Sequence, residues 1–135
     1  MELLRRKRHT IIDIGTSNDQ PVDYPDYAKT MAAVIRNGRA ERGIFLCGSG
    51  VGAAIAANKF RGIRAAVCHD CFSARQAVED DDANILCLGT RVIGPGLALE
   101  LVQIYLASRF SGAARHKRRL AKIERFEKGD AASRR

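Results

Sequence analysis

GIFLCGSGVGAAIAANKF, residues 43–60, joins a short apolar run to a glycine-rich turn and then to a helical run. A short apolar run bounded by turn signals is typical of a buried strand. A strand that passes through glycines directly into a helix forms a βα unit. Such units build parallel sheets that are covered by helices on both faces.

The same alternation recurs along the rest of the chain. It predicts four strands, at residues 10–14, 43–47, 63–68 and 84–88. Pro95 opens a helix over 95–110 with one apolar face, and a basic helix follows over about 113–127. The spacing therefore predicts an α/β protein with a parallel sheet between two helical layers.

The chain length fits a single domain over residues 1–135, with a loose tail at about 128–135. The start breaks the expected order, because MELLRRKR (1–8) reads as a helix that leads into the first strand. A doubly wound sheet ordinarily begins with a strand and a loop at its carboxyl end. We therefore expect residue 1 to be internal to a longer chain, with about one strand and one functional loop before it.

Composition narrows the class of protein. The chain is 46% hydrophobic and 28% charged, as in folded globular domains. It contains no 18-residue apolar run and no apolar segment behind its basic start. The sequence therefore predicts neither a transmembrane helix nor a signal peptide, and we expect a cytoplasmic protein with no membrane partner.

The net charge of +8 is concentrated at the two ends. Residues 1–8 carry four basic side chains and one acid, and residues 115–135 carry nine basic side chains and three acids. A basic end can bind nucleic acid, a membrane surface or a small phosphate, and it can also be a solvated helix face. No nucleic-acid partner is expected, because no stacking or groove-reading motif accompanies the charge.

The four cysteines do not form a metal-binding pattern. Cys68 and Cys71 have CxxC spacing, but zinc sites of this type need a second pair. Cys68 and Cys87 lie in apolar runs and are predicted to be buried strand residues. We therefore expect no metal ion. Cys47 differs from the others because glycines follow it immediately.

The glycine-rich turn supports two functional interpretations. G-x-G-x-x-A at 48–53 is a variant dinucleotide fingerprint, with Asp70 as the acid about 20 residues later. Alternatively, Cys47 is a general base on a carbon acid, since a helix N-terminus makes a thiol more acidic. Glycine N–H groups would then hold the developing oxyanion, and the Ser49 hydroxyl would relay a proton. A glycine turn beside an incidental cysteine is the simplest alternative.

Three arginines are candidates for binding a phosphate. Arg115 and Arg119 are four residues apart on the last predicted helix and so point to one side. Arg91 follows the fourth predicted strand at its carboxyl end, where ligands of parallel sheets bind.

Four acids at 79–82 precede the same strand. An acidic run at a helix C-terminus is unfavourable, and such a local cost can mark a functional site.

Several separate motifs together resemble the ribose-5-phosphate isomerase B family. They are DIGTSNDQPVDYPDYA (13–28), CGSGVGAAIAANKFRGIRAAVCHD (47–70), DDDANILCLGTRVIGPGLALELV (80–102) and RHKRRLAKIE (115–124). The resemblance runs from about residue 2 to residue 125. It implies a Rossmann-like α/β/α fold and a homodimer or homotetramer with its active site at the subunit interface. It also implies reversible conversion of ribose 5-phosphate and ribulose 5-phosphate, with no cofactor and no metal.

The resemblance further implies roles for individual residues. Cys47 would move a proton between C1 and C2 through a cis-enediolate, and Ser49 stands where the family usually has Thr. The residues implied to contact the substrate are Gly48, Gly50, Val51, Gly52, Asp81, Arg91, Arg115 and Arg119. The last two arginines would come from the neighbouring subunit.

The sequence departs from the family pattern in two places. Asp80 and Asp81 stand where the family carries His-Asn, and that His opens the furanose ring. Asp80 is therefore the candidate for ring opening, with His69 as an alternative. The family's first strand, with an Asp-His pair in its loop, is lacking, so we expect a sheet without that strand.

The resemblance leaves two further functions open. The chain could isomerise another sugar phosphate, such as allose 6-phosphate or galactose 6-phosphate. It could also be a catalytically impaired member that binds a sugar phosphate without turnover, since the ring-opening His and the first loop are lacking.

Overall fold

The structure is a computed structural model, and it describes residues 1–129. It contains three strands, which are β1 (Gly43–Cys47), β2 (Ala65–Val67) and β3 (Ile85–Gly89). Its helices are α1 (Glu2–Arg6), α2 (Tyr24–Arg36), α3 (Val51–Ala57), α4 (Cys71–Glu79), α5 (Pro95–Ala107) and α6 (Ala114–Gly129).

The three strands form a parallel sheet in the order β1-β3-β2. β3 is the central strand, and all five of its residues are buried. Its pairing with β1 runs from Gly43 opposite Ile85 to Cys47 opposite Gly89. Its pairing with β2 stops at Val67 opposite Cys87. The carboxyl ends of β1 and β3 therefore meet at one edge of the sheet, beyond the end of β2.

Helices cover both faces of the sheet, which confirms the predicted three layers. Successive side chains of a strand point to opposite faces, so Ile85 and Cys87 join one core with α2 and α3. Leu86 and Leu88 join the other core with α4 and α5. Alanines such as Ala28, Ala32, Ala53 and Ala57 are at most 1% exposed and fill the contact of α2 with α3.

The predicted strand at residues 10–14 is wrong in the described structure. These residues lie in an irregular segment between α1 and α2, and Ile12 is exposed. A strand exists only where a neighbouring backbone completes its hydrogen-bond ladder. No strand within residues 1–129 pairs with this segment, because β1 pairs only with β3.

The remaining elements were predicted with small errors at their ends. The third predicted strand, 63–68, is shortened to Ala65–Val67, and the helix predicted over 95–110 ends at Ala107. The basic helix α6 continues to Gly129, two residues into the segment predicted as a loose tail. Residues 130–135 of that tail lie outside the described residues.

None of the helices in the described part of the chain is both long and apolar enough to cross a lipid bilayer.

Candidate active site

Cys47 is the last residue of β1, and its half-buried thiol faces the glycine turn that follows. The N–H of Gly50 donates to Cys47 Sγ at 3.1 Å. A backbone N–H in this position can stabilise negative charge that develops at the site during a reaction. The turn therefore places a hydrogen-bond donor on the one atom that the sequence predicts to act as a base.

Gly50 is at a position that requires glycine. Its φ is +81°, in the left-handed region, and a Cβ at this position would lie 3.2 Å from the backbone of Leu88. The turn thus packs closely on the end of β3. This close approach holds the N–H of Gly50 beneath the sulfur of Cys47.

A second turn, after β3, is bonded to the first. The N–H of Thr90 donates to the carbonyl of Cys47 at 2.8 Å, and that of Arg91 donates to the carbonyl of Gly48 at 3.1 Å. Gly89 touches the backbone of Ser49 so closely that a Cβ there would lie 2.7 Å from it. The two turns therefore form one unit, and this unit brings Arg91 beside the glycine turn.

The helix α3 begins at the far side of the same turn. Ser49 Oγ accepts a hydrogen bond from the N–H of Val51 at 3.2 Å, and both residues are exposed. Gly52 lies against the Tyr24 ring, with 2.7 Å between the ring and a Cβ built on this glycine. Tyr24 was not identified from the sequence, because it lies 23 residues before the Cys47 turn. It is the first residue of α2, and the packing of α2 on α3 brings its phenol to the site.

The structure separates the other predicted site residues from Cys47. Asp80 follows α4, whose course from β2 to β3 returns the chain to the amino end of the sheet. β3 then spans about 13 Å from that end to the Cys47 edge. Asp81 follows Asp80, and Arg115 and Arg119 lie on α6, which begins beside the end of α4. Within one chain, these four residues therefore do not join Cys47 and Arg91.

Asp80 is held in a polar cluster at the amino end of the sheet. Its carboxylate accepts from Gln76 Nε2 at 3.1 Å and lies 3.5 Å from Nε2 of His116. His116 is only 4% exposed, and its Nδ1 lies 2.6 Å from Oγ of Ser111. His116 was not identified from the sequence, since a histidine inside a basic run gives no signal of burial. Asp81, by contrast, is exposed.

Comparison with known proteins gives the family. A sequence model described as "Ribose/Galactose Isomerase" matches residues 1–123. The chain belongs to the ribose/galactose isomerase family. This membership confirms the resemblance drawn from the motifs, and it makes the chain an isomerase.

Individual relatives agree with the family. Ribose-5-phosphate isomerase B of Escherichia coli is 42% identical over 117 residues, which are 87% of this chain and 78% of that protein. A D-erythrulose-4-phosphate isomerase of Pectobacterium atrosepticum is 44% identical over 113 residues, covering 82% of this chain and 74% of that protein. The structure of ribose-5-phosphate isomerase B of Clostridium thermocellum superposes with a TM-score of 0.92 at 45% identity, over 95% of this chain and 86% of the other.

The thiols of this isomerase differ strongly in their surroundings. Burial raises the pKa of Cys87 to about 12, and burial with the nearby Asp70 raises that of Cys68 to about 11. Both are buried, as the sequence predicts. These two thiols stay neutral at physiological pH, which argues against either of them as a base. Cys47 differs from them in that a backbone N–H donates to its sulfur.

The alternative motifs have structural explanations in this isomerase. Asp70, the acid of the dinucleotide interpretation, is the N-cap of α4 and accepts from the N–H of Ser73 at 2.7 Å. No group of three or more histidine, cysteine, aspartate or glutamate side chains within residues 1–129 is arranged to hold a metal ion.

A cleft of about 490 Å³ lies between the end of α2 and α6, lined in part by Arg36, Arg61 and Glu127, and is remote from Cys47.

Proposed function

We propose that this isomerase interconverts ribose 5-phosphate and ribulose 5-phosphate, with Cys47 as the base. The observation that carries the proposal is the hydrogen bond from the Gly50 N–H to Cys47 Sγ, at the carboxyl end of a parallel strand. Ligands of parallel sheets bind at this end. The named relatives act on short sugar phosphates, which supports the same class of substrate.

The chemistry assigned to the site is a proton transfer between neighbouring carbons. The Cys47 thiolate removes the proton from C2 of the open-chain aldose, and the C–H electron pair forms the C1–C2 double bond of a cis-enediolate. The negative charge moves to the C1 oxygen, where backbone N–H groups of the glycine turn stabilise it. Ser49 passes the O2 proton to O1, and Cys47 returns its proton to C1, which yields the ketose.

The phosphate is assigned to arginines from two copies of the chain. Arg91 lies beside the Cys47 turn, whereas Arg115 and Arg119 lie exposed at the other end of the sheet. A second copy that brings its α6 to the Cys47 edge would complete the site. Leu46, Val51 and Ile55 are 51–59% exposed beside Cys47 and offer this copy an apolar surface. A homodimer is thus the smallest active unit in the proposal, and a homotetramer would pair such dimers.

We assign ring opening to Asp80. The side chains that contact its carboxyl group determine how readily this group exchanges a proton with the substrate. Ribose 5-phosphate is mostly a closed furanose, so a group must protonate the ring oxygen before Cys47 can act. In the proposed dimer, Asp80 and Asp81 of one copy approach the Cys47 site of the other. His116, whose Nε2 lies 3.5 Å behind Asp80, is the ionisable side chain in contact with that carboxylate. We place this activity in the cytoplasm, in the non-oxidative branch of the pentose phosphate pathway.

A second candidate substrate is a four-carbon sugar phosphate. In D-erythrose 4-phosphate the C4 oxygen is esterified, so no five-membered ring can form and no ring opening is needed. Asp80 is already bonded to Gln76 and stands where the family carries its ring-opening His. The relative named D-erythrulose-4-phosphate isomerase supports this alternative.

Parallel assays test the function and choose the substrate. Purified enzyme is given ribose 5-phosphate and D-erythrose 4-phosphate, and ketose formation is measured beside Cys47→Ala and Cys87→Ala. We expect Cys47→Ala to lower kcat by about 10²- to 10⁴-fold, as for loss of a general base. Cys87→Ala is the matched control and keeps turnover. If wild-type and Cys47→Ala enzymes convert either sugar equally well, Cys47 is not the base.

A further inference from the structure

His69 completes the sheet at the Cys47 edge. The pairing of β2 with β3 stops at Val67, whereas β1 remains paired as far as Gly89. Gly89 is buried, and a buried backbone N–H requires an acceptor. That acceptor is the side chain of His69, whose Nε2 lies 2.8 Å from the Gly89 nitrogen. An imidazole therefore takes the place of the backbone carbonyl that a longer β2 would supply.

This hydrogen bond defines where the imidazole carries its proton. A ring nitrogen that accepts an N–H uses its lone pair and bears no hydrogen. The ring is then neutral, and its single proton is on Nδ1. A side chain without a hydrogen-bond acceptor at this place therefore cannot replace His69.

The Gly89 N–H lies directly behind the residues that form the site. Gly89 is pressed against the backbone of Ser49, and the next two N–H groups bind the carbonyls of Cys47 and Gly48. A shift of Gly89 would move the glycine turn and Arg91 together. Gly89 is the last residue of β3, and its carbonyl also accepts the N–H groups of Val92 and Ile93, so it anchors the turn that carries Arg91.

We infer that His69 is a positioning residue for the anion-binding turns. In its neutral state, with the proton on Nδ1, it holds Gly89 and thereby sets the turn of Cys47 and the backbone of Arg91. The functional part of this inference rests on the proposed function, whereas the state of the ring does not. His69 is thus not assigned to ring opening.

Nitrogen NMR on ¹⁵N-histidine-labelled wild-type enzyme tests the ring state. At about pH 8, where histidine side chains are ordinarily neutral, we expect Nε2 of His69 to show the shift of an unprotonated nitrogen and Nδ1 that of a protonated one. The signals are assigned by their loss in His69→Gln. A protonated Nε2 on His69 would overturn the inference, whatever the enzyme's activity.

Phosphate binding by three variants tests the positioning role. His69→Gln keeps an acceptor, His69→Leu removes it, and His9→Gln is the control at an exposed histidine. Calorimetry with inorganic phosphate should give a Kd raised about tenfold or more for His69→Leu, from loss of an acceptor for a buried donor. His69→Gln should stay within about threefold of wild type. Circular dichroism confirms that each variant is folded.

The outcomes separate this inference from the proposed function. Equal phosphate affinity of folded His69→Leu and wild type, or a His69→Gln defect as large as that of His69→Leu, would refute the positioning role. A protein that shows the expected ring state and phosphate affinities, yet converts no sugar, would refute the proposed function alone. An enzyme that converts the sugar but carries a proton on Nε2 of His69 would refute the inference about His69 alone.

Discussion

Nε2 of the buried His116 lies 3.5 Å from a carboxylate oxygen of Asp80, and Ser111 lies on the other side of the same ring. Ser111 Oγ accepts the N–H of Ala113, so its own hydrogen is free to point to Nδ1 of His116. The His116 ring thus lies between the Asp80 carboxylate and the Ser111 hydroxyl. The carboxylate at position 80 is therefore one member of a connected cluster.

Replacement of Asp80 by His should shift the substrate preference. An imidazole titrates near neutral pH and suits ring opening better than a carboxylate does. We expect Asp80→His to raise kcat/KM for ribose 5-phosphate by about tenfold relative to that for the acyclic D-erythrose 4-phosphate. Asp81→Asn is the neighbouring control, and its ratio should stay close to that of wild type. An unchanged ratio in Asp80→His would show that position 80 takes no part in ring opening.

Alkylation by iodoacetamide should distinguish the four thiols. Burial raises the pKa of Cys87 to about 12 and that of Cys68 to about 11, and the pKa of Cys71 is raised by partial burial and by Glu100. Because the thiolate is the reactive form, we expect Cys47 to be modified first and Cys87 last. Peptide mass spectrometry on samples quenched over time gives the order. Early modification of Cys87 in folded enzyme would contradict it.

Gly50 and Gly38 form a matched pair for measuring the cost of the turn. Both have φ between +70° and +85°, but only a Cβ at Gly50 would meet backbone, at 3.2 Å from Leu88. Gly38→Ala should lower the free energy of unfolding by about 1 kcal/mol, from backbone strain alone. Gly50→Ala should lower it by about 2–3 kcal/mol and reduce activity as well. Urea unfolding measures both, and equal losses would argue against the close packing.

Asp70 stabilises the start of α4 in a pH-dependent way. Its hydrogen bond from the Ser73 N–H lowers the pKa of its carboxyl group below the ordinary value. A lowered folded-state pKa gives stability that is present above about pH 4 and is lost as the pH falls through the folded value. Asp70→Ala should therefore lower Tm at neutral pH but have little effect at strongly acidic pH. Asp70→Asn, which keeps a capping oxygen, should lower Tm less than Asp70→Ala does.

Local patterns predicted most of the fold. The GIFLC run, the glycines after it and Pro95 each act on their immediate neighbours, so β1, α3 and the start of α5 were identified. The TIIDI segment at 10–14 has the same local character and is not a strand, because strand formation also needs a partner. Apolar composition alone does not reveal whether that partner exists.

The candidate site was predicted where its residues are close in sequence. Cys47, Ser49 and the glycines of the turn lie within a few residues of one another. The bond from Gly89 to His69 spans 20 residues, and the cluster of Asp80 and His116 depends on how α4 and α6 meet. Such contacts are created by packing, and no local pattern encodes them.

The separation of Cys47 from Arg115 has a consequence for mixed subunits. In the proposed dimer, Cys47→Ala chains and Arg115→Ala chains are each inactive when alone. A hybrid of the two would contain one site with both defects and one site with neither. Unfolding and refolding the two inactive proteins together should then restore activity to part of the population. Each polypeptide would repair the other, as in intragenic complementation.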